Sequence, residues 1–122
     1  MDFYVNALKN IAFEDKQTDD EERFGIYRIP TDSGCVEIVK LYPDTYYKPH
    51  IHDRANAKFI FLQGKGKVLL DDKAFPFKEG DIFEAPAGVK HGFELTEESI
   101  FISVQSHPIQ DRSTGEIDIR YE

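Results

Sequence analysis

Three of the four histidines have a spacing that suits metal chelation. His50 and His52 lie two residues apart in KPHIHDR, and His91 lies far along the chain in PAGVKHGF. Side chains two residues apart in a strand point to the same face, so His50 and His52 project together while Ile51 faces the other way. Imidazole nitrogens are common ligands of transition metals. The spacing therefore predicts a metal site, provided that the fold brings His91 to the same point.

Short apolar stretches separated by turn residues occupy most of the chain after Gly25. They read GIYRI, CVEIVKLY, KFIFLQ, KVLL, AFPF, IFEA and SIFISVQ, with Gly, Pro and Asp residues between them. Many short strands with such turns are typical of an all-β sandwich or barrel, because each strand buries one face and must then turn back. A sheet that curls into a barrel would bring distant strands, and with them the three histidines, together.

The two stretches that carry these histidines resemble the two signatures of the cupin family. GDIFEAPAGVKH matches the second signature at its first four fixed positions, which are Gly80, Pro86, Gly88 and His91. The earlier stretch matches the first signature at His50, His52 and Gly64. The resemblance implies an all-β double-stranded β-helix, the jelly-roll barrel of the RmlC-like superfamily, with six to ten strands. It also implies that the protein forms a homodimer.

Three departures from the signatures bear on the metal. Asp44 stands where the first signature opens with Gly, and Leu95 stands at the closing Asn of the second. The Glu ligand expected four or five residues after His52 is absent, because Asn56 and Ala57 occupy those positions. The resemblance therefore implies a three-histidine site, in which the metal ligands are His50, His52 and His91.

The implied cofactor is a divalent transition metal: iron, zinc, manganese, nickel or copper. An ion held by three neutral imidazoles keeps nearly all of its positive charge, which favours a small anionic organic molecule as the bound partner. Open coordination positions also permit catalysis. Three-histidine cupins that resemble thiol dioxygenases use iron, whereas related small cupins are isomerases, cyclases or lyases. The hypothesis is a metal-dependent oxygenase, isomerase or lyase, and the sequence does not choose among these reactions or assign a catalytic residue.

Strand parity gives candidates for the lining of the pocket. If the resemblance holds, residues of the same parity line one apolar interior around the histidines, and they are Ala57, Phe59, Phe61, Phe93 and Leu95. Tyr42, Tyr46 and Tyr47 precede the first motif and could place a phenol in the pocket as a proton donor. Glu84 could supply a carboxylate, but the alternation in IFEA leaves open which side of that strand faces inward.

Two alternatives to a metal enzyme stay open at this point. A cupin that no longer holds metal would also lack the Glu, and its apolar barrel would serve as a non-enzymatic binding or regulatory module. A purely structural oligomer would have a barrel mouth filled with side chains. In either case His50 and His52 would be ordinary strand residues.

Length and charge limit the classes further. The 122 residues fit one domain, in which we predict an N-terminal extension over residues 1–24 and a barrel over residues 25–122. Ile117, Ile119 and Tyr121 alternate with polar residues, which is typical of a half-buried edge strand at the C-terminal end. Fifteen basic and 23 acidic residues give a net charge of −8, which disfavours a nucleic-acid partner.

The remaining composition favours a cytoplasmic protein without a membrane segment. Cys35 is the single cysteine, so it cannot form an internal disulfide. The start of the chain, MDFYVNALKN, has an acid at position 2 and lacks the apolar region of a secretory signal. The longest unbroken apolar stretch runs from Phe59 to Leu62, far short of the roughly 20 residues that cross a bilayer.

Overall fold

The protein is described by a computed structural model that covers residues 11–17, 22–31, 34–110 and 113–121. These residues form ten β-strands, which are β1 (Glu14–Gln17), β2 (Arg23–Pro30), β3 (Cys35–Leu41), β4 (Tyr47–His50), β5 (Ala57–Gln63), β6 (Gly66–Leu70), β7 (Lys73–Phe77), β8 (Ile82–Ala85), β9 (His91–Leu95) and β10 (Ser99–Gln105). Nowhere in the part covered is there a helix of the length and apolarity that crossing a membrane requires.

The strands form two antiparallel sheets. One sheet has six strands in the order β1-β2-β3-β10-β5-β8, and the other has four in the order β4-β9-β6-β7. Consecutive strands repeatedly cross from one sheet to the other, and this topology is that of a jelly roll. The prediction of an all-β jelly-roll fold is confirmed, and the ten strands fall within the expected range.

The core between the two sheets is rich in phenylalanine. Alternate residues of β5 and β9 face inward, so Phe59, Phe61 and Phe93 are buried together with Phe101 of β10. Phe61 stacks on Phe77 with the two ring centres 3.8 Å apart. A fully buried Phe contributes about 1.5–3 kcal/mol to the free energy of folding, so this cluster is a main source of the stability of the barrel.

A second apolar cluster covers the outer face of the six-stranded sheet. Ile38, Leu62 and Ile100 are buried there, and the N-terminal residues Ile11 and Phe13 pack against them. This segment continues into β1, which pairs with β2 at the edge of the sheet. The described part of the expected extension thus belongs to the sheet, and β2 starts before residue 25. Residues 1–10 and 18–21 of the extension lie outside the described residues.

The C-terminal segment, residues 113–121, does not form a regular edge strand. Its pairing consists of two isolated antiparallel bridges, one between Gln110 and Ile117 and one between Ile51 and Arg120. The alternation is also the reverse of the expected one, since Ile117 is 60% exposed whereas Asp118 is 7% exposed. The reason is that the Asp118 carboxylate accepts hydrogen bonds inside the protein, as described below.

Candidate metal centre

The fold brings His50, His52 and His91 to one point inside the barrel. His50 ends β4, His52 follows it after one residue, and His91 begins the neighbouring strand β9. One ring nitrogen of each histidine lies within 4.8 Å of the other two. The ring centres are 4.4 to 4.9 Å apart. This geometry lets a single ion contact all three imidazoles.

A shift in the β4–β9 ladder turns His50 toward the interior. Tyr47 pairs with Phe93 and His50 pairs with His91, so β4 has one more residue than β9 between the two pairs. An extra residue of this kind, as in a β-bulge, reverses the side to which the following side chains point. Tyr47 and His50 therefore both face inward, although an odd spacing in a regular strand would place them on opposite faces.

Backbone carbonyls orient the three imidazoles. The Nδ1 atom of His52 lies 2.5 Å from the carbonyl oxygen of Asp118. The Nδ1 atoms of His50 and His91 each lie 3.4 Å from a carbonyl oxygen two residues earlier in the chain. A carbonyl oxygen can only accept, so each contact favours the tautomer with its proton on Nδ1. The Nε2 lone pairs are then free for a metal.

The donor set fits a divalent cation. The Nε2 atoms of His50 and His52 are 3.2 Å apart, and in the tautomer that the carbonyls favour their lone pairs face each other. Facing lone pairs repel unless a cation or a proton lies between them. Three imidazole nitrogens, in a cluster that includes no carboxylate among the described residues, also match the ligand preferences of zinc, iron, nickel and copper.

The surroundings keep two of the three histidines unprotonated. Burial, together with the neighbouring His52, lowers the pKa of His50 from 6.5 to about 4. Burial is the main cause that lowers the pKa of His91 from 6.5 to about 3, and the two other histidines lower it further. Both imidazoles are therefore neutral near pH 7, which is the form that binds a metal.

A cavity of about 220 Å³ opens beside the histidines. On one side it is lined by aromatic and aliphatic side chains, which are Phe24, Ile26, Val39, Leu41, Phe59, Phe93 and Phe101. Polar residues line the rest, among them Glu22, Arg28, Glu37, Ser103 and Gln105. Ile109, and Ile119 and Tyr121 of the C-terminal segment, also line the cavity.

The apolar lining candidates lie at different depths in the barrel. Phe59 and Phe93 line the cavity. Ala57 and Phe61 are buried deeper in the core between the sheets, and Leu95 packs against that core while partly exposed. The shared parity of these residues therefore does place them all toward the interior, but the cavity reaches only those nearest the histidines.

Two polar candidates lie away from the cavity. Glu84 is on the outer face of β8, where its side chain is 69% exposed and lies 3.5 Å from the Lys58 ammonium. Tyr46 is 72% exposed. Tyr47 lines the cavity, but its hydroxyl donates to the Arg23 carbonyl at 2.6 Å and accepts from the Tyr42 N–H at 2.9 Å. The proton of that hydroxyl is thus already engaged.

Asp118 is a residue of the site that the sequence reading did not identify. Its carboxylate accepts the N–H groups of Asp53, Arg54 and Ala55, the three residues after His52, at 2.8 to 3.0 Å. Burial tends to raise the pKa of Asp118, but these N–H donors outweigh it and the pKa is lowered. Asp118 therefore fixes the turn after His52 and, through its carbonyl, the ring of His52.

The comparisons with known proteins agree with this architecture. Residues 37–104 match the family model described as Cupin domain. The acireductone dioxygenase of Granulibacter bethesdensis is 29% identical over 80 residues, which are 55% of this chain and 44% of that protein. The chain thus spans less than half the length of this curated relative.

Solved structures resemble the fold over most of the chain. KdgF from Halomonas sp. superposes with a TM-score of 0.67 at 22% identity, covering 80% of this chain and 88% of that one. A Thermotoga maritima protein described as a predicted oxalate decarboxylase superposes with a TM-score of 0.71 at 19% identity, covering 81% and 95%. At identities this low, the likeness shows the fold alone.

Proposed function

The chain belongs to the cupin family, and on that premise we propose that His50, His52 and His91 bind one divalent transition-metal ion for catalysis on a small anionic organic molecule. The observation that carries the proposal is the convergence of three ring nitrogens within 4.8 Å inside a cavity. Metal ligands in proteins are often histidines whose second nitrogen donates to a backbone carbonyl, and the Nδ1 atom of each of the three lies beside a backbone carbonyl oxygen here.

The charge of the site supports an anionic partner. Neutral imidazoles leave the charge of a bound divalent ion uncompensated, and the cluster of potential ligand groups includes no carboxylate among the described residues. Phe59, Phe93 and Phe101 line the cavity and limit the water that could screen this charge. An acid group entering the cavity would therefore be drawn to the histidine end.

The number of protein ligands supports an enzyme. Three ligands leave coordination positions open, and a metal with open positions polarises an oxygen of a bound molecule or activates water. The match to an acireductone dioxygenase supports an oxygenase, in which the ion would be redox-active. An isomerase or lyase on the same scaffold would run on zinc, nickel or manganese. The chain's own residues hold the ion, orient the imidazoles and exclude water in each case.

Metal analysis of matched histidine variants tests the proposal. We expect tag-free wild-type protein to hold close to one equivalent of metal, and His52→Ala to lower the metal affinity at least tenfold. The matched control is His107→Ala, because His107 is exposed in a loop and contacts Ser106 instead of the cluster. Elemental analysis and zinc titration of the stripped proteins measure both effects.

Thermal unfolding separates a metal enzyme from a metal-free binding module. A metal specific to the folded state adds stability by mass action, about 2.7 kcal/mol at a free concentration of 100 times Kd. Zinc should therefore raise the Tm of wild type and His107→Ala but not that of His52→Ala. Less than about a tenth of an equivalent of metal in wild type after reloading would contradict the proposal and favour the metal-free module.

A further inference from the structure

Part of the inner face of the six-stranded sheet is apolar and lines the cavity. Its side chains form two adjacent rows, because Ile26 of β2 pairs with Val39 of β3, and Phe24 pairs with Leu41 on the same two strands. Val39 pairs on its other side with Phe101 of β10. All five side chains line the cavity, and we call them the apolar wall.

The cavity leaves the apolar wall partly uncovered. Val39 is on the inner face of a strand that has a neighbouring strand on each side, yet it is only partly buried, and so is Phe24. Both residues line the cavity, so part of their apolar surface faces the cavity. Apolar surface left open in a concave site is typical of a place where a ligand binds.

The apolar wall and the histidines border the same cavity. The Phe101 ring contacts the Phe59 ring, which in turn contacts the His91 ring, with ring centres 5.4 and 5.6 Å apart. The volume of about 220 Å³ is below the roughly 300–1,000 Å³ of sites for drug-sized ligands. One small molecule can therefore contact both the histidine end and the apolar wall.

The polar side chains of the next row on this face are paired with one another. Glu37 accepts from Gln105 Nε2 at 2.7 Å and from Arg28 Nε at 2.8 Å, so its charge is paired with that of Arg28. Gln105 Nε2 also donates to Ser103 Oγ at 3.1 Å. Gln105 Oε1 has no partner among the described residues, but it has less than 1 Å² of accessible surface. A molecule in the cavity therefore cannot reach this oxygen.

The charged side chains of the cavity compensate each other. The described lining contains two acidic and two basic side chains, which are Glu22, Glu37, Arg28 and Lys48. Their formal charges sum to zero, so a metal ion bound by the histidines would carry the uncompensated charge of this lining. The acid group of a ligand is therefore drawn to the histidine end, and the rest of the ligand meets the apolar wall.

The apolar wall favours hydrocarbon over hydroxyl groups. A hydroxyl group that leaves water for this wall loses its hydrogen bonds without replacement, which weakens binding. A CH₂ group that leaves water gains about fourfold in affinity when it is fully buried. A chain of several CH₂ groups and a chain of several hydroxylated carbons should therefore differ strongly in affinity.

We infer that the substrates are small acids with an apolar tail, and that Val39 contributes to the selection of that tail. The acid group lies toward the metal, and the tail lies on the apolar wall. This inference rests on the proposed function and names its substrate class. It disfavours polyhydroxylated acids, such as sugar acids, as substrates.

Three acids with the same head group test the inference on wild-type protein. Lactate, 2-hydroxyhexanoate and gluconate are all 2-hydroxy acids, and their tails are a methyl group, an unbranched butyl group and a four-carbon chain with four hydroxyls. Isothermal titration of zinc-loaded wild type should give a Kd for 2-hydroxyhexanoate at least tenfold below the values for lactate and gluconate. The three additional CH₂ groups relative to lactate would give about 60-fold if they were fully buried.

A substitution in the apolar wall tests the position of the tail. Val39→Thr keeps the shape of the side chain but places a hydroxyl in the wall, so it should weaken binding of 2-hydroxyhexanoate roughly threefold or more. Its affinities for lactate and zinc should be unchanged. Val104→Thr is the matched control, because Val104 is 42% exposed on the outer face of β10 and does not line the cavity. It should keep all the wild-type affinities.

The titrations separate failure of the inference from failure of the proposed function. Wild type that binds zinc, but binds lactate or gluconate as tightly as 2-hydroxyhexanoate, overturns the inference and leaves the metal site standing. Binding of none of the three acids at roughly 10 mM does the same. Equal effects of Val39→Thr and Val104→Thr overturn the role of Val39, and the comparison of acids on wild type decides the substrate class even if Val39→Thr is unfolded. Failure of wild type to bind zinc overturns the proposed function and the inference with it.

Discussion

At the scale of single residues, the protonation of the histidines prepares the site for a metal. An imidazole must be neutral to bind an ion, and burial keeps His50 and His91 neutral well below their ordinary pKa of 6.5. The carbonyls beside Nδ1 leave the Nε2 atoms free. The site therefore needs no proton release from these two residues at neutral pH when a metal binds.

The stripped protein should lose stability as the pH falls from 7 toward 5. The unfolded chain takes up protons at these histidines near pH 6.5, whereas folded His50 and His91 take them up only near pH 4 and pH 3. Between these values the unfolded state binds more protons, so the free energy of unfolding decreases as the pH is lowered. We expect a loss of about 1 kcal/mol per histidine at pH 5.5, measured by urea unfolding.

A variant with both histidines replaced gives the reference for this measurement. His50→Gln combined with His91→Gln should flatten the dependence of stability on pH, while His107→Gln should keep the wild-type slope. An unchanged slope in the double variant would show that other groups cause the pH dependence.

The chemistry of the site was predictable from the sequence only in part. The spacing of His50, His52 and His91 within two signatures indicates the cluster. Glu37 and Gln105 went unnoticed, although a polar residue at an inward position of an apolar strand is a readable signal. Their mutual hydrogen bond depends on the pairing of β3 with β10, which is not encoded in local periodicity.

At the scale of strands and turns, glycines allow the tight turns that connect one strand to the next. Gly64 and Gly80 both have positive φ angles, 105° and 91°. A Cβ atom on Gly64 would lie 2.1 Å from Ser99 Oγ and 2.7 Å from Ser99 Cα, whereas nothing lies within 4 Å of the corresponding position on Gly80. An alanine would therefore meet the same disfavoured backbone conformation at both positions, but a steric clash only at position 64.

Alanine substitutions at these two glycines should separate strain from steric contact. Gly80→Ala should lower the free energy of unfolding by about 1–2 kcal/mol, because only the left-handed backbone is disfavoured. Gly64→Ala should cost at least about 2 kcal/mol more, because the backbone of Ser99 must also move. Urea unfolding of both variants measures the difference, and equal losses would contradict the clash at Ser99.

Asp118 should be the most important residue of the C-terminal segment for stability. Asp118→Ala leaves three N–H groups near His52 without an acceptor, and we expect a loss of about 2–4 kcal/mol. Zinc affinity should also fall at least tenfold, because the carbonyl that orients His52 is displaced.

A neighbouring acid provides the control for Asp118. Asp53 forms an exposed ion pair with Arg120 of the same segment at 2.9 Å. Such pairs contribute about 0–1 kcal/mol, so Asp53→Ala should have a small effect on both stability and zinc affinity. Equal effects of the two alanine variants would argue against a special role for Asp118.

The strands were easier to predict than their irregularities. Turn residues and alternating apolar residues indicated the all-β fold, because both depend on neighbours in sequence. The register shift before His50 and the course of residues 113–121 depend on contacts between distant strands. The alternation predicted that Ile117 and Ile119 are buried. The buried residue is instead Asp118, which lies between them, because three backbone N–H groups donate to its carboxylate.

At the scale of the whole molecule, the six-stranded sheet has an apolar outer face that its N-terminal segment covers in part. Ile11 and Phe13 pack over the cluster around Ile38. Farther along the same face, Ile29 pairs with Val36 and Val36 pairs with Val104, and the two outer members of this row are 43% and 42% exposed. A row of exposed apolar side chains on a sheet is a candidate contact surface.

We expect a second copy of this chain to cover this row, as the expected homodimer requires. A symmetric dimer uses the same patch on both subunits, so one charge change acts twice. Val104→Glu should weaken self-association at least tenfold, measured by sedimentation equilibrium, without changing zinc affinity. Phe75→Glu, which alters an exposed residue of the other sheet, should leave association unchanged. Wild type that stays monomeric at every concentration would contradict the expectation.

The position of Asp118 has a consequence for synthesis on the ribosome. Residue 118 follows all ten strands in chain order, so every strand leaves the exit tunnel before the carbonyl that orients His52. The carbonyl that holds the ring of His52 is therefore among the last described groups to become available to the folding chain. Under the proposed function, tight metal binding should follow the docking of this segment against the residues after His52.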